Sequence, residues 1–123
     1  MLVEHFAAAL WVTGAITTAP VLQYFAPRQV LALMYRIELT DEAGLFLARH
    51  WGLLAASIGG LLMFAAAHPA VRPAVVTAAL VEKAGIAVAF VLVRRRPFAR
   101  GLRMVAAFDT ACVLLYAVWL VTS

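Results

Sequence analysis

Apolar residues occupy four long segments of this chain, and short polar or proline-containing stretches separate them. The segments cover about residues 5–24, 45–67, 74–93 and 102–121. An α-helix needs about 20 mainly apolar residues to cross the hydrocarbon core of a bilayer, and each segment reaches that length. The pattern therefore predicts an all-α polytopic membrane protein, whose single domain over residues 1–123 is an antiparallel bundle of four transmembrane helices.

The connections between the segments differ in length. Pro69 and Pro73 interrupt the chain between the second and third segments, and residues 94–97 (Arg-Arg-Arg-Pro) interrupt it between the third and fourth. Residues 25–40 form a longer connector, in which apolar and charged residues alternate in a way that predicts a short amphipathic helix at the membrane surface. Thr40, followed by two acids, predicts the N-cap of the second helix, which then starts outside the hydrocarbon and is the longest.

Composition agrees with a membrane protein. The chain has 123 residues, of which 66% are hydrophobic and 13% charged, and its mean hydropathy is +0.98. Soluble domains are about 45 to 50% apolar and about 25% charged. Four spans leave no length for a separate soluble domain. The single cysteine, Cys112, excludes an internal disulfide, a CxxC redox motif and a cysteine-based zinc cluster, and no metal site is predicted.

The arginines predict the orientation of the chain. Most of them flank the two loops that share one face of the bundle, and basic residues mark the cytoplasmic side. These are Arg28, Arg36, Arg94, Arg95, Arg96, Arg100 and Arg103. We therefore expect both termini outside the cytoplasm, in a bacterial inner membrane, with the first segment retained as a span. This asymmetry accounts for the net charge of +4, so no nucleic-acid partner is expected.

Three ionisable residues lie near mid-membrane depth. Glu82 and Lys83, the only lysine of the chain, fall in the middle of the third segment, and Asp109 falls in the fourth. A charge at that depth costs roughly 2.5 to 3.5 kcal/mol on insertion scales, so such residues usually face a partner or a cavity. Two interpretations stay open: a functional cavity, where the three would be catalytic if the protein is an enzyme, or ion pairs that hold the helices together.

The direction of helical side chains suggests partners for these charges. Side chains lean toward the N-terminus of their own helix, which aims Asp109 toward the depth of Arg49 and aims Lys83 away from it. We therefore expect Asp109 to pair with Arg49 rather than with Lys83. A stripe of small residues around Glu82 predicts that this side chain faces the bundle. That stripe consists of Ala78, Ala79, Gly85, Ile86 and Ala89, and a second close-packing face consists of Gly52, Ala56 and Gly60.

Further polar residues are candidates for binding a ligand. They are Arg49, His50, Trp51, Cys112, Tyr116, Thr13 and Thr17. Each has a structural alternative: Arg49 and His50 are also typical of interfacial anchors beside the belt residue Trp51, and Cys112 and Tyr116 of core packing. The two threonines also suit carbonyls that Pro20 leaves without a partner.

The order of these features resembles the DoxX-like group of small four-helix membrane proteins. The likeness lies in residues 24–27 (Tyr-Phe-Ala-Pro), an amphipathic connector, residues 47–52 (Leu-Ala-Arg-His-Trp-Gly) and residues 59–62 (Gly-Gly-Leu-Leu). The resemblance implies a four-helix bundle and, for relatives of DoxX, an accessory subunit of a membrane oxidoreductase that works with quinones. It assigns no catalytic residue.

Three functions therefore stay open. The first is binding of an apolar ligand, a lipid or a quinone, by a protein that can serve as an accessory subunit. The second is a membrane-embedded acid-base enzyme, an isomerase, hydratase or cyclase acting on a sterol-like or isoprenoid substrate through Glu82 and Asp109. The third is a small proton-coupled exporter, although small multidrug transporters have their glutamate within the first helix and Glu4 lies at its end. The expected partners are the bilayer, a hydrophobic small molecule and a second copy or membrane complex; no cofactor is identified.

Overall fold

A computed structural model describes residues 2–123, with side chains described from His5 onward. Over that range the chain forms α-helices, two short 3-10 helices and no strand. The α-helices are α1 (Leu2–Thr18), α2 (Val21–Phe25), α3 (Pro27–Tyr35), α4 (Glu42–Ala67), α5 (Arg72–Val93) and α6 (Arg103–Thr122), and the 3-10 helices are Pro69–Val71 and Pro97–Leu102.

Within residues 2–123, four stretches are long and apolar enough to cross a membrane. They are His5–Phe25, Glu42–Ala67, Pro69–Val93 and Pro97–Thr122. The predicted all-α fold with four potential spans is confirmed, and α4 is the longest α-helix, with 26 residues. The placement of α3 at a membrane surface and the antiparallel order of all four spans stay predictions.

The first span is broken near its end. Pro20 has no amide hydrogen, so the Ile16 carbonyl accepts from the Ala19 amide at 3.1 Å instead, and α1 stops at Thr18. The short helix α2 then continues the span, and Gln23 ties it to α4: its Nε2 donates to the Ala48 carbonyl at 2.7 Å. The break leaves residues 19–20 without regular helical structure at the side of the bundle where the cavity described below lies.

The start of α4 is capped one residue later than predicted. Asp41, rather than Thr40, has the extended backbone of an N-cap, and its carboxylate accepts from the Gly44 amide at 2.7 Å. Aspartate is preferred over threonine as an N-cap, and the negative charges of Asp41 and Glu42 both suit the positive end of the helix dipole. The sequence contained both candidates, and the helix begins after the second.

Glycines bring α1 and α4 into close contact. A Cβ at Gly59 would lie 2.6 Å from the Thr18 amide nitrogen and 2.7 Å from the Gly14 carbonyl oxygen, and one at Gly52 would lie 2.6 Å from the Pro20 carbonyl oxygen. Gly59, which comes later in α4, meets Gly14 and Thr18, whereas Gly52, which comes earlier, meets Pro20, so the order of the contacts is reversed between the two spans. The prediction that Gly60 belongs to this face is wrong, because a Cβ there meets nothing within 4 Å.

The register of the helix explains this correction. Each residue turns an α-helix by about 100°, so a position seven residues on returns to within about 20° of the same face, whereas one eight residues on is about 80° away. Gly59 follows Gly52 by seven residues, and Gly60 follows it by eight. The contact face therefore contains Gly52, Ala56 and Gly59, with Gly60 turned away from α1.

Two clusters of buried apolar residues hold the bundle together. The larger one joins α1, α4, α5 and α6 and contains Phe6 stacked on Trp119, with ring centroids 4.5 Å apart. The smaller one joins α3 to α4 through Leu31, Tyr35 and Ala48. The connector therefore packs on the bundle and places Tyr35 beside Trp51, with ring centroids 5.6 Å apart.

Candidate functional site

A buried ion pair lies between α5 and α6. The Lys83 Nζ is 2.8 Å from the Asp109 Oδ1, and the two residues are 1% and 6% exposed. The same ammonium donates to the Thr17 Oγ1 of α1 at 2.9 Å and lies 4.7 Å from the centre of the Phe108 ring. The ammonium is paired, hydrogen-bonded and next to an aromatic face, and these three contacts offset the free-energy cost of burying its charge.

The predicted pairing of Asp109 with Arg49 is therefore wrong. Arg49 is exposed, and its Nη1 donates to the Tyr24 carbonyl at 2.9 Å. That carbonyl lies in the last turn of the five-residue helix α2, where carbonyls lack intrahelical partners. Lys83 reaches Asp109 because its side chain is long and flexible, which outweighs the tendency of side chains on α5 to lean toward the N-terminus of that helix. The average direction of helical side chains does not include this reach.

The inward face of α5 is centred on Lys83 rather than on Glu82. Val76, Ala79 and Lys83 are the buried residues of this helix. Of the small-residue stripe predicted to face the bundle, Ala78, Gly85 and Ala89 are exposed. That prediction is wrong for most of the stripe, since adjacent residues point about 100° apart and Lys83 takes the inward position.

Glu82 nevertheless lies at the edge of the same site. The residue is half-buried, and its Oε1 is buried without a hydrogen-bond partner within the described part of the chain. A buried acceptor without a partner is uncommon, because it costs free energy unless a ligand or water supplies a donor. Glu82 thus has room for an additional partner.

Two threonine hydroxyls of α1 accept hydrogen bonds from the neighbouring helices, one beside the ion pair and one deeper in the core. Thr17 accepts from Lys83 and donates to the Thr13 carbonyl at 2.7 Å, and Thr13 donates to the Ala9 carbonyl at 2.8 Å. The Tyr116 hydroxyl donates to the Thr13 Oγ1 at 2.7 Å. The two threonines therefore bond to carbonyls one turn back, and each also accepts a hydrogen bond from another helix. The prediction that they satisfy the carbonyl freed by Pro20 is wrong, because the Ala19 amide bonds to the Ile16 carbonyl.

We expect the hydrogen bond from Tyr116 to Thr13 to contribute modestly to stability. Replacing Tyr116 by phenylalanine removes one hydrogen bond between α6 and α1, which is worth about 0.5 to 1.5 kcal/mol. A double-mutant cycle with Thr13→Val, measured by unfolding in mixed micelles, should give a coupling energy in that range. Strictly additive losses would contradict a direct bond between the two side chains.

A cavity of about 400 Å³ opens beside the ion pair. Its polar wall consists of Thr17, Tyr35, Glu82, Lys83 and Asp109. The rest is apolar or aromatic and comes from α1, α3, α4, α5 and α6, including Ile16, Met34, Trp51, Ile86, Met104 and Phe108. Binding sites for small molecules usually enclose about 300 to 1,000 Å³, are mainly apolar and carry a few convergent polar groups, and this cavity has those properties.

The predicted ligand-binding residues divide into three groups around this cavity. Trp51 and Thr17 line it together with the three charged residues. Cys112 and Tyr116 are buried in the larger apolar cluster, and Thr13 does not line the cavity, although its carbonyl accepts a hydrogen bond from Thr17, which does. Arg49 and His50 are exposed and do not line it, which favours their alternative as interfacial residues.

Tyr35 is the polar residue that the sequence interpretation missed. It is 2% exposed and brings a phenol into the cavity wall from the connector rather than from a span. Burial raises the pKa of this phenol, and the negative charge of Asp109 adds to the rise, so Tyr35 keeps its proton and can donate it in a hydrogen bond. The amphipathic spacing of residues 25–40 indicated a helix, but gave no sign that it covers a site.

No metal site accompanies these groups in the described residues. The histidine, cysteine and acidic side chains described from His5 onward form no cluster of three or more. No protein-family model, curated protein or solved structure matches the chain, so the resemblance to DoxX-like proteins stays an expectation.

Proposed function

We propose that this protein binds a mainly apolar small molecule with a carbonyl or hydroxyl group at its polar end, of the quinone or lipid class. The observation that carries the proposal is the cavity of about 400 Å³, because it joins a largely apolar wall to the polar groups around Lys83 and Asp109. In a bacterial inner membrane, with both termini outside the cytoplasm, such a protein would act alone or as an accessory subunit of a membrane oxidoreductase.

The polar wall offers both donors and acceptors. Lys83 and the Tyr35 phenol are donors suited to a carbonyl oxygen, and the Glu82 Oε1 is an acceptor suited to a hydroxyl group. A quinone presents carbonyl oxygens, and its reduced form presents hydroxyl groups at the same positions. A wall with both kinds of group is therefore compatible with either oxidation state, and this favours the quinone class over a lipid that has only one kind.

We expect Glu82→Gln to weaken binding of a quinol about fivefold, because the amide oxygen that remains accepts a hydrogen bond worth about 1 kcal/mol less than a hydrogen bond to a carboxylate. The probe is the reduced form of 2,3-dimethoxy-5-methyl-1,4-benzoquinone, titrated into nanodiscs that hold the purified protein. Glu42→Gln is the matched control, since it removes an exposed carboxylate at the start of α4. Equal affinities for the two variants, or no saturable binding by the wild type, would contradict the proposal.

A second candidate, a membrane-embedded acid-base enzyme, is favoured by the contrast between two carboxylates of one cavity. Asp109 is bound to Lys83, whereas Glu82 has an oxygen without a partner. Carboxylates in such different surroundings can take separate acid and base roles. A β,γ-unsaturated sterol ketone distinguishes the two candidates. An isomerase would convert it to the conjugated enone, and Glu82→Gln would lose this activity. A binding protein would leave the ketone unconverted. No such contrast favours export, and the side chain of Glu4 lies outside the described residues.

A further inference from the structure

A second cavity adjoins the first. It measures about 200 Å³, and every residue that lines it is apolar or aromatic. Trp51, Ile86 and Val105 line both cavities, so the two lie side by side. The far wall includes Ala89, Phe90 and Phe98, which come from α5 and the 3-10 helix Pro97–Leu102.

We propose that this second cavity holds the apolar substituent of the same molecule whose polar end contacts Lys83 and Glu82, and that the substituent is a short branched chain of the prenyl type. The inference rests on the proposed function and adds the chemical class of the ligand: a prenylated ring. Its support is that the two cavities share Trp51, Ile86 and Val105 and divide in character, since every polar residue lines the first cavity and none lines the second.

Close packing against the cavity walls, rather than exclusion of water, must favour binding of the prenyl substituent. A prenyl group in a bilayer is already surrounded by hydrocarbon, so moving it into an apolar cavity gains little from the hydrophobic effect. The gain comes from close van der Waals contact with the walls, which depends steeply on shape and is lost across small gaps. The volume of about 200 Å³ sets an upper limit on the chain, so a short substituent fits and a longer one must leave the cavity.

Two quinones test the inference in nanodiscs of one lipid composition. The first probe is 2,3-dimethoxy-5-methyl-1,4-benzoquinone, which has no chain, and the second is its 6-prenyl derivative. Ala106→Leu fills the second cavity, because Ala106 is 6% exposed and lines that cavity alone. Ala107→Leu is the matched control on the neighbouring exposed position of α6. Comparing the ratio of the two affinities between variants cancels the partitioning of each probe into lipid.

We expect Ala106→Leu to weaken binding of the prenyl derivative roughly tenfold or more, because the larger side chain occupies space that the prenyl group needs. Binding of the chainless quinone should stay nearly unchanged, and Ala107→Leu should affect neither probe. Phe90→Ala enlarges the same cavity, so it should raise the relative affinity for the 6-geranyl derivative, an effect that a damaged fold would not produce.

The outcomes separate this inference from the proposed function. If the wild type binds both quinones and Ala106→Leu weakens both equally or neither, the second cavity does not hold the chain, and the inference alone is overturned. If the wild type binds neither quinone, the proposed function fails for this class and the inference fails with it. A preference for the prenyl derivative that Ala106→Leu removes and Ala107→Leu keeps would support both.

Discussion

Replacing Lys83 by methionine is expected to lower the free energy of unfolding by about 3 to 5 kcal/mol, because it leaves Asp109 buried without its partner. Asp109 is 6% exposed, and within the described part of the chain its carboxylate accepts one hydrogen bond, from the Lys83 Nζ at 2.8 Å. Phe108 and Thr17 would lose the ammonium as well. Unfolding of the purified variant by denaturant in mixed micelles measures the loss.

The double variant Lys83→Met/Asp109→Leu is the informative comparison. Replacing a buried ion pair by apolar residues of similar volume is often neutral or stabilising, and the neighbouring cavity has room for a leucine. We therefore expect the double variant to recover most of the stability that the single variant loses. Glu82→Gln, one residue away on α5, should change stability little, because its Oε1 has no partner to lose among the described residues. If the double variant loses as much stability as Lys83→Met and Asp109→Leu lose in total when each is measured alone, a direct ion pair between the two residues is contradicted.

The second large effect is expected at Gly59. An alanine there would place its Cβ 2.5 Å from the Thr18 Oγ1 and 2.6 Å from the Thr18 amide nitrogen, so α1 has to move away from α4. Overpacking of this kind costs about 1 to 3 kcal/mol. The measurement is the thermal unfolding of Gly59→Ala in the same detergent as the wild type.

Gly60→Ala provides the control at the next residue. Its Cβ would meet nothing within 4 Å, and alanine is favoured over glycine inside a helix by up to about 1 kcal/mol. We therefore expect Gly60→Ala to be neutral or slightly stabilising. If both substitutions change the stability by the same amount, the close approach of α1 and α4 at Gly59 is wrong.

The spans could be predicted from the sequence because length and hydropathy decide them. A helix that crosses a bilayer needs about 20 apolar residues, and runs of that length end at the prolines and arginines that the sequence shows directly. The sequence also identified Glu82, Lys83 and Asp109 as the unusual residues, since charges at that depth are rare for an energetic reason. Local composition was enough for both conclusions.

The pairing within the site needed three-dimensional information. Asp109 has two cationic candidates at suitable depths, Arg49 and Lys83, and the choice depends on the rotation of α5 about its axis and on the reach of a flexible side chain. A rotation of α5 by about 100° about its axis exchanges Glu82 for Lys83 on the inward face. Small residues occur on both faces of α5, so the stripe of small residues did not determine which of the two faces inward. Tyr35 enters the site from a connector, where the helical period of the spans carries no information.

The most direct test of a ligand cavity beside the ion pair is native mass spectrometry of the protein released from membranes without detergent exchange. The wild type is compared with the Lys83→Met/Asp109→Leu variant, whose fold is checked by its unfolding transition. We expect a bound lipid-soluble molecule of the prenylated quinone class on the wild type and its loss from the variant. Wild-type protein that carries no such molecule, or equal retention by the folded variant, would contradict the account.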